Sequence, residues 1–195
     1  MLAWHFTRTD CRLGFDDGRL VVPGETLTHD GDLVLCKQGL HASRRIMDAL
    51  RWAPGPYVWR VRLSGDRLND SDKMVATERT ALWGFDATDT LRLFARRCAL
   101  DVLHLWDPPD VVVRYLKTGD ESIRDAAGVA WADARGAARG AARDAAWDAA
   151  RAAARAAAWA SARAAARDAA WDAARDKQYS QLTAMVMAAR KEVMA

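Results

Sequence analysis

Large side chains recur at every fourth position through the carboxyl-terminal part of the chain, in a background of alanine. The series has no gap and consists of Trp131, Arg135, Arg139, Arg143, Trp147, Arg151, Arg155, Trp159, Arg163, Arg167, Trp171, Arg175 and Tyr179. Ala has the highest helix propensity and Arg follows closely, so the summed preference is strongly helical. The pattern predicts a long α-helix, with Gly136 and Gly140 as the two places where it is weakest and a bend is expected.

The same spacing predicts contacts along the surface of that helix. Residues four apart are neighbours on a helix, so Trp147, Trp159 and Trp171 each lie between Arg residues on adjacent turns. Each cation–π contact of this kind contributes about 0.5–1 kcal/mol at an exposed site. The stripe drifts around the helix by about 40° per repeat, which fits no coiled coil. The small Ala faces favour a tightly packed hairpin or an oligomer; a solitary solvated helix and a ligand-binding ladder are the alternatives.

The first 118 residues carry shorter patterns of a different kind. Aromatic or aliphatic residues alternate with basic ones in Tyr57–Ser64, which is typical of a strand with one buried face. Further strands are predicted at Leu2–Thr7, Leu20–Val22, Leu33–Cys36 and Met74–Trp83, and helices at Arg44–Trp52 with Ser43 as N-cap, Asp86–Trp106 and Asp110–Lys117. Strands come first and helices follow, an order that indicates an α+β fold.

Together these patterns predict two domains. Residues 1–118 form an α+β head with a small antiparallel sheet, and residues 119–195 form the Ala/Arg/Trp-rich helical tail, either straight or folded back as a hairpin. The end of the tail, Leu182–Met194, is richer in Leu, Met and Val. It is therefore expected either to dock on the head or on a second copy, or to be an ordinary helix terminus.

The composition of the chain indicates its cellular compartment more clearly than its function. A net charge of +3 is too small to imply nucleic acid by itself. The odd number of cysteines, with no Cys-x-x-Cys pair, suits free thiols in a reducing compartment. No signal peptide is evident, and the Arg residues of the tail argue against a membrane span. We expect a protein of the cytoplasm, without a membrane partner.

The head resembles a known but uncharacterised domain family of phages and prophages. The resemblance is carried by the box Cys36–Ser43 (CKQGLHAS), the following Asp48–Leu50, the run Tyr57–Gly65 and the Ala-rich repeat. It covers residues 1–118. It implies a phage or prophage origin, and hence the cytoplasm of the host cell, but no activity. Some relatives have a second Cys where this chain has Ser43, which weakens a metal site.

Two kinds of chemistry are conceivable in the head. His41, Tyr57 and Glu78 follow one another on successive predicted strands, an order that is similar to ADP-ribosyltransferase-like enzymes, where the Glu orients a ribose hydroxyl. The alternative is that His41 only holds its own turn together. A metal site from Cys11, Cys36 and His41, with or without His5, lacks the spacing of a zinc motif. No nucleotide-binding or hydrolase motif is present, and no cofactor is expected.

The tail offers the third class of function. Trp and Arg are enriched at binding hot spots, which predicts a partner-binding surface on the anchors Trp147, Arg151, Arg155, Trp159, Arg163, Arg167 and Trp171. Nucleic acid is an alternative partner for Arg151–Arg167, where Arg is interleaved with Trp and Asp is absent. The sequence therefore favours a non-enzymatic phage accessory protein that acts by protein–protein interaction or self-association, against a host or defence factor.

Overall fold

A computed structural model describes residues 1–14, 17–105, 107–136 and 159–193, and gives only the backbone for residues 105 and 159–172. The chain divides into two compact units. The first combines Met1–Arg92 with Gln178–Ala195, and the second is Leu93–Lys177. The chain thus leaves the first unit once and returns to it at its carboxyl-terminal end.

A five-stranded antiparallel sheet forms the centre of the first unit. Its strands are β1 (Leu2–Thr7), β2 (Thr26–Thr28), β3 (Leu40–Ala42), β4 (Tyr57–Asn69) and β5 (Met74–Asp86). The spatial order is β1-β4-β5-β2, and β3 pairs with β5 as well. The two short strands therefore share one edge of β5, while the long β4–β5 hairpin carries the rest of the sheet.

One short helix, α1 (Ile46–Arg51), lies between β3 and β4, and the other described helices follow the sheet. They are α2 (Thr88–Asp101), α3 (Asp110–Thr118), α4 (residues 124–136) and α5 (Trp159–Val193), with short 3-10 turns at Leu103–Leu105 and Glu121–Ile123. Asp120 caps the second 3-10 turn by accepting a hydrogen bond from the Ser122 amide. The prediction of an α+β fold with a small antiparallel sheet is confirmed, and the structure shows that this sheet has five strands.

The two faces of the sheet bury different side chains. On one face Ala3, Trp59, Val61 and Leu63 form a core with the loop residue Val21. Gly84 lies opposite Trp59, and a Cβ on Gly84 would stand only 2.4 Å from Cε3 of that ring. The indole N–H donates to Thr7 Oγ1 at 2.9 Å, so the ring is fixed across the β1–β4–β5 centre. Glycine at position 84 is therefore needed for the close approach of Trp59.

The opposite face is aromatic and is covered by the end of α5. Strand pairing places Trp4 beside Arg60 and Arg60 beside Trp83, with Phe85 next along β5. The Trp4 and Trp83 rings meet edge to face at 5.8 Å. Leu182 and Val186 of α5 are completely buried. The end of the chain therefore docks on the head, which was one of the predicted alternatives.

Four details differ from the sequence prediction. Leu20–Val22 is not a strand, since only Leu20 forms an isolated bridge, with Arg12. The N-cap of α1 is Arg45 and not Ser43. The other two differences have a shared reason. Leu33–Cys36, predicted as a strand, is a turn in which Val34 and Gln38 exchange backbone hydrogen bonds and Cys36 takes a left-handed conformation with φ 65°. The strand lies just after it, as β3. Gly65, predicted to end β4, is left-handed within that strand at a shift in pairing, and β4 continues to Asn69. Left-handed residues here redirect the chain without ending the sheet.

Candidate functional site

All seven predicted partner-binding residues lie where the structure describes no side chains. Trp147, Arg151 and Arg155 lie outside the described residues. The remaining four lie in α5, in the part for which only the backbone is described: Trp159, Arg163, Arg167 and Trp171. Helical conformation from residue 159 onwards agrees with the prediction for that part of the repeat.

The first step of the repeat is described in full. Trp131 lies near the end of the described part of α4 and is 45% exposed. The guanidinium carbon of Arg135, one turn later, lies 5.1 Å from the centroid of the Trp131 ring. This is the spacing of a cation–π contact between residues four apart on a helix. The geometry expected of the repeat is thus present at its first Trp.

The last anchor of the repeat, Tyr179, behaves differently, because it contacts α1 of the head. The Tyr179 hydroxyl donates a hydrogen bond to the carboxylate of Asp48, which is buried on α1. The guanidinium carbon of Arg45 lies 4.2 Å from the centre of the Tyr179 ring, and Arg45 Nε donates to the same carboxylate at 3.0 Å. These three side chains tie α5 to α1.

His41 is engaged by its own turn through both ring nitrogens. It lies in β3, where Nδ1 donates to the carbonyl of Gly39 at 3.0 Å and Nε2 accepts from the amide of Cys36 at 2.9 Å. This pairing fixes one neutral tautomer. Burial lowers the pKa of His41, and the nearby Arg79 guanidinium lowers the pKa further. The contacts are those of a histidine that stabilises a turn.

The three candidate catalytic residues are spread along the hairpin. His41 pairs with Val75 and Tyr57 pairs with Asp86, which are the two ends of β5. Eleven strand residues span about 36 Å at 3.3 Å per residue. Glu78 lies between these ends, opposite Ser64. The strand register therefore does not bring Tyr57 together with His41.

The candidate metal ligands do not form a cluster. Among the residues that the structure describes, no three His, Cys, Asp or Glu side chains come close enough to hold a metal ion. Cys11, Cys36 and Cys98 are free thiols. Burial raises the pKa of Cys11, which keeps that thiol protonated at neutral pH.

A groove that the sequence did not indicate lies between the end of α5 and the aromatic face of the sheet. We call it the head groove. It has a volume of about 800 Å³. Trp4 and Trp83, both buried, form its floor, while Met187 and Ala184 on α5 form part of its rim. Its remaining lining residues are Leu2, Arg44, Arg45, Arg60, Leu82, Tyr179, Ser180 and Thr183.

The charges of the head groove are uneven. Its lining includes three Arg residues and no acidic residue. The guanidinium carbon of Arg60 lies 4.5 Å from the centroid of Trp4, and Arg60 Nη1 is buried without a hydrogen-bond partner among the described residues. Burial lowers the pKa of Arg60, since water is removed from the charged group. The groove is thus a cationic site with an aromatic floor.

Comparison with known proteins identifies only the head. Residues 1–93 match the family model described as Domain of unknown function (DUF7666), a range that contains all five strands and the beginning of α2. Searches among curated proteins and among solved structures gave no match. The expectation of an uncharacterised domain family is confirmed for these 93 residues, and the family description states no activity. In the described part of the chain, no helix is long and apolar enough to cross a membrane.

Proposed function

We propose that this protein is a non-enzymatic binding protein that self-associates through its Ala/Arg/Trp helical repeat. The observation that carries the proposal is Trp131, which is 45% exposed and whose ring centroid lies 5.1 Å from the guanidinium carbon of Arg135. Trp and Arg are the residue types enriched at the hot spots of protein–protein interfaces. The same pairing is repeated by the sequence at Trp147, Trp159 and Trp171.

A second copy of the chain is the partner that suits this surface best. Between Arg124 and Asp176 the sequence has nine Arg and seven Asp residues, so the repeat can pair its charges with those of another repeat. The Ala residues between the anchors allow two helix backbones to approach closely. The contact residues that we propose are Trp147, Arg151, Arg155, Trp159, Arg163, Arg167 and Trp171.

The biological setting that we propose follows from the resemblance of the head to phage and prophage domains. The protein is then a phage accessory protein in the host cytoplasm, and the assembled repeats bind a host or defence protein. The attachment of α5 to the head through Tyr179 and Asp48 supports a binding role, since it gives the repeat a fixed end.

The proposal is tested by measuring the mass of the full chain in solution. Size-exclusion chromatography with light scattering, after nuclease treatment, is expected to give a dimer or a larger oligomer. Replacement of Trp147, Trp159 and Trp171 by Ala preserves helix propensity and is expected to give the monomer. The control is Trp52→Ala, because Trp52 is 55% exposed but lies on the head. That variant should keep the wild-type mass.

Two outcomes would overturn this function. A monomer at every concentration would exclude self-association through the repeat. An assembly that falls apart under nuclease would instead favour the nucleic-acid alternative, in which Arg151, Arg155, Arg163 and Arg167 contact phosphates and Trp159 stacks on a base.

A further inference from the structure

We propose that the head groove is a binding site for a nucleoside monophosphate. The inference does not depend on self-association, because every residue of the groove belongs to the first unit. It rests on three features: the size of the groove, its aromatic and apolar walls, and its unbalanced positive charge. No function is otherwise assigned to this surface.

The size and walls of the head groove suit a ligand with a flat ring. Small-molecule sites commonly enclose about 300–1,000 Å³, and this groove has about 800 Å³. The rings of Trp4 and Trp83 close the floor, while Leu2, Leu82 and Met187 add apolar surface at the sides. A purine or pyrimidine ring can be desolvated against these walls, whereas a bare inorganic ion gains nothing from them.

The positive charge of the groove favours the binding of an anion. Asp48 accepts hydrogen bonds from Arg45 and Tyr179 and so offsets part of the charge of Arg45. Arg60 has no acidic residue beside it to play this role, and its Nη1 is buried with no partner in the described residues. Arg60 itself lines the groove, so an anionic group bound there lies beside its guanidinium and offsets its charge, although Nη1 is out of reach of the ligand.

The two ends of the ligand are therefore assigned to different parts of the groove. Arg60 binds the phosphate, and Arg44 at the exposed rim adds a second cation. The ring lies against the apolar wall that contains Leu82 and Met187. Thr183 and Ser180 on α5 provide hydroxyl groups for the sugar and the ring edge. Both parts of the ligand contribute, which predicts that neither half binds well alone.

Isothermal titration calorimetry on the full-length chain tests this proposal. The probes are the four common ribonucleoside 5′-monophosphates, the matching nucleosides and inorganic phosphate. At least one monophosphate is expected to bind with a Kd below about 1 mM at low salt. Its nucleoside and inorganic phosphate should each bind about tenfold more weakly, because each lacks one set of contacts.

Two variants probe the groove, each with a matched control. Arg60→Gln removes the phosphate contact, and its control is Arg62→Gln, because Arg62 is exposed on the same strand outside the groove. Ala184→Trp fills the groove from an exposed position on α5, and its control is Ala188→Trp one turn later. Both groove variants should weaken binding about tenfold or more, and both controls should bind as the wild type does. Because Ala184 is exposed, this variant remains informative if Arg60→Gln fails to fold.

Any one of three results would overturn the proposal. The first is that none of the monophosphates binds, and the second is that inorganic phosphate binds as tightly as the best monophosphate. The third is that the folded Ala184→Trp variant binds the monophosphate with unchanged affinity. The solution mass of the protein does not enter this test. Failure of the groove proposal is therefore distinguishable from failure of self-association through the repeat.

Discussion

The charge of one buried residue of the head, Arg79, lowers the pKa of two histidines, His5 and His41. Arg79 is 2% exposed and donates from Nη1 to the carbonyl oxygen of His41 at 2.7 Å. Burial lowers the pKa of Arg79 to about 10. Burial also lowers the pKa of His5 well below its ordinary value, and the charge of Arg79 lowers the pKa further. Both histidines are therefore neutral in the folded protein at neutral pH.

Mild acid is expected to destabilise the protein through these two histidines. In the unfolded chain each imidazole binds a proton below about pH 6.5, whereas the lowered pKa in the folded protein opposes protonation. Stability is therefore fully present above pH 6.5 and is lost as the pH falls below it. The loss is at most about 1.4 kcal/mol per pH unit for each histidine. Urea unfolding at pH 7.5 and pH 5.5 measures this difference.

A substitution separates this effect from general acid denaturation. His5→Gln should make the unfolding free energy less dependent on pH. An unfolding free energy that does not fall between pH 7.5 and pH 5.5 would show that His5 and His41 do not titrate as the structure implies.

Arg60 illustrates which residue environments the sequence predicts and which it does not. The alternation in Tyr57–Ser64 predicts one buried and one solvent-facing set of side chains, and this is right for Trp59, which is buried, and for Arg62, which is exposed. Arg60 belongs to the solvent-facing set but is half-buried. The helix that covers it follows more than a hundred residues later, and no local pattern reports such a contact.

The two ends of α5 differ in composition, since the first part is rich in Ala and the last part in Leu, Met and Val. Its Ala-rich part satisfies helix propensity alone, while its last turns bury Leu182 and Val186 completely. Arg190, further along, places its guanidinium carbon 4.7 Å from the centre of the Trp83 ring. In the sequence, the change from Ala to Leu, Met and Val near residue 182 predicts that this part of the helix is buried. The sequence does not decide whether the helix packs on the head or on another copy of the chain.

Removing the buried side chains of α5 is expected to destabilise the head. Leu182→Ala should lower the free energy of unfolding by about 2–4 kcal/mol, because it removes a fully buried side chain and leaves a cavity. Val193→Ala is the control, since Val193 is 64% exposed on the same helix. Chemical denaturation followed by tryptophan fluorescence reports on Trp4, Trp59 and Trp83. Equal stability of the two variants would mean that α5 does not pack on the sheet.

The prediction of the sheet elements was better for the long strands than for the short ones. Leu2–Thr7 is the strand that alternation and β propensity predict, and β5 extends the predicted Met74–Trp83 by three residues. By contrast, β2 has three residues and no apolar pattern of its own, so it was not predicted. Its position is determined by pairing with Thr80 and its neighbours in β5. Such strands depend on their partners for their existence.

At the scale of the whole molecule, the return of the chain to its first unit links the two proposals. The head groove exists only where α5 lies against the sheet, since Tyr179, Thr183 and Met187 form one of its walls. The proposed self-association surface is joined to the head by the same helix, through Tyr179. Residues 178–193 are therefore a structural part of the head.

Hydrogen–deuterium exchange on the full-length chain tests this claim most directly. Amides of residues 182–190 are expected to exchange within about tenfold of the rate in β4 and β5, since both elements open together when the first unit unfolds. The exposed loop at Asp30–Asp32, which lies outside the helices and strands, provides the fast reference in the same sample. If the amides of residues 182–190 exchanged as fast as this loop, the helix end would not be part of the head. The head groove and the anchored repeat would both then be contradicted.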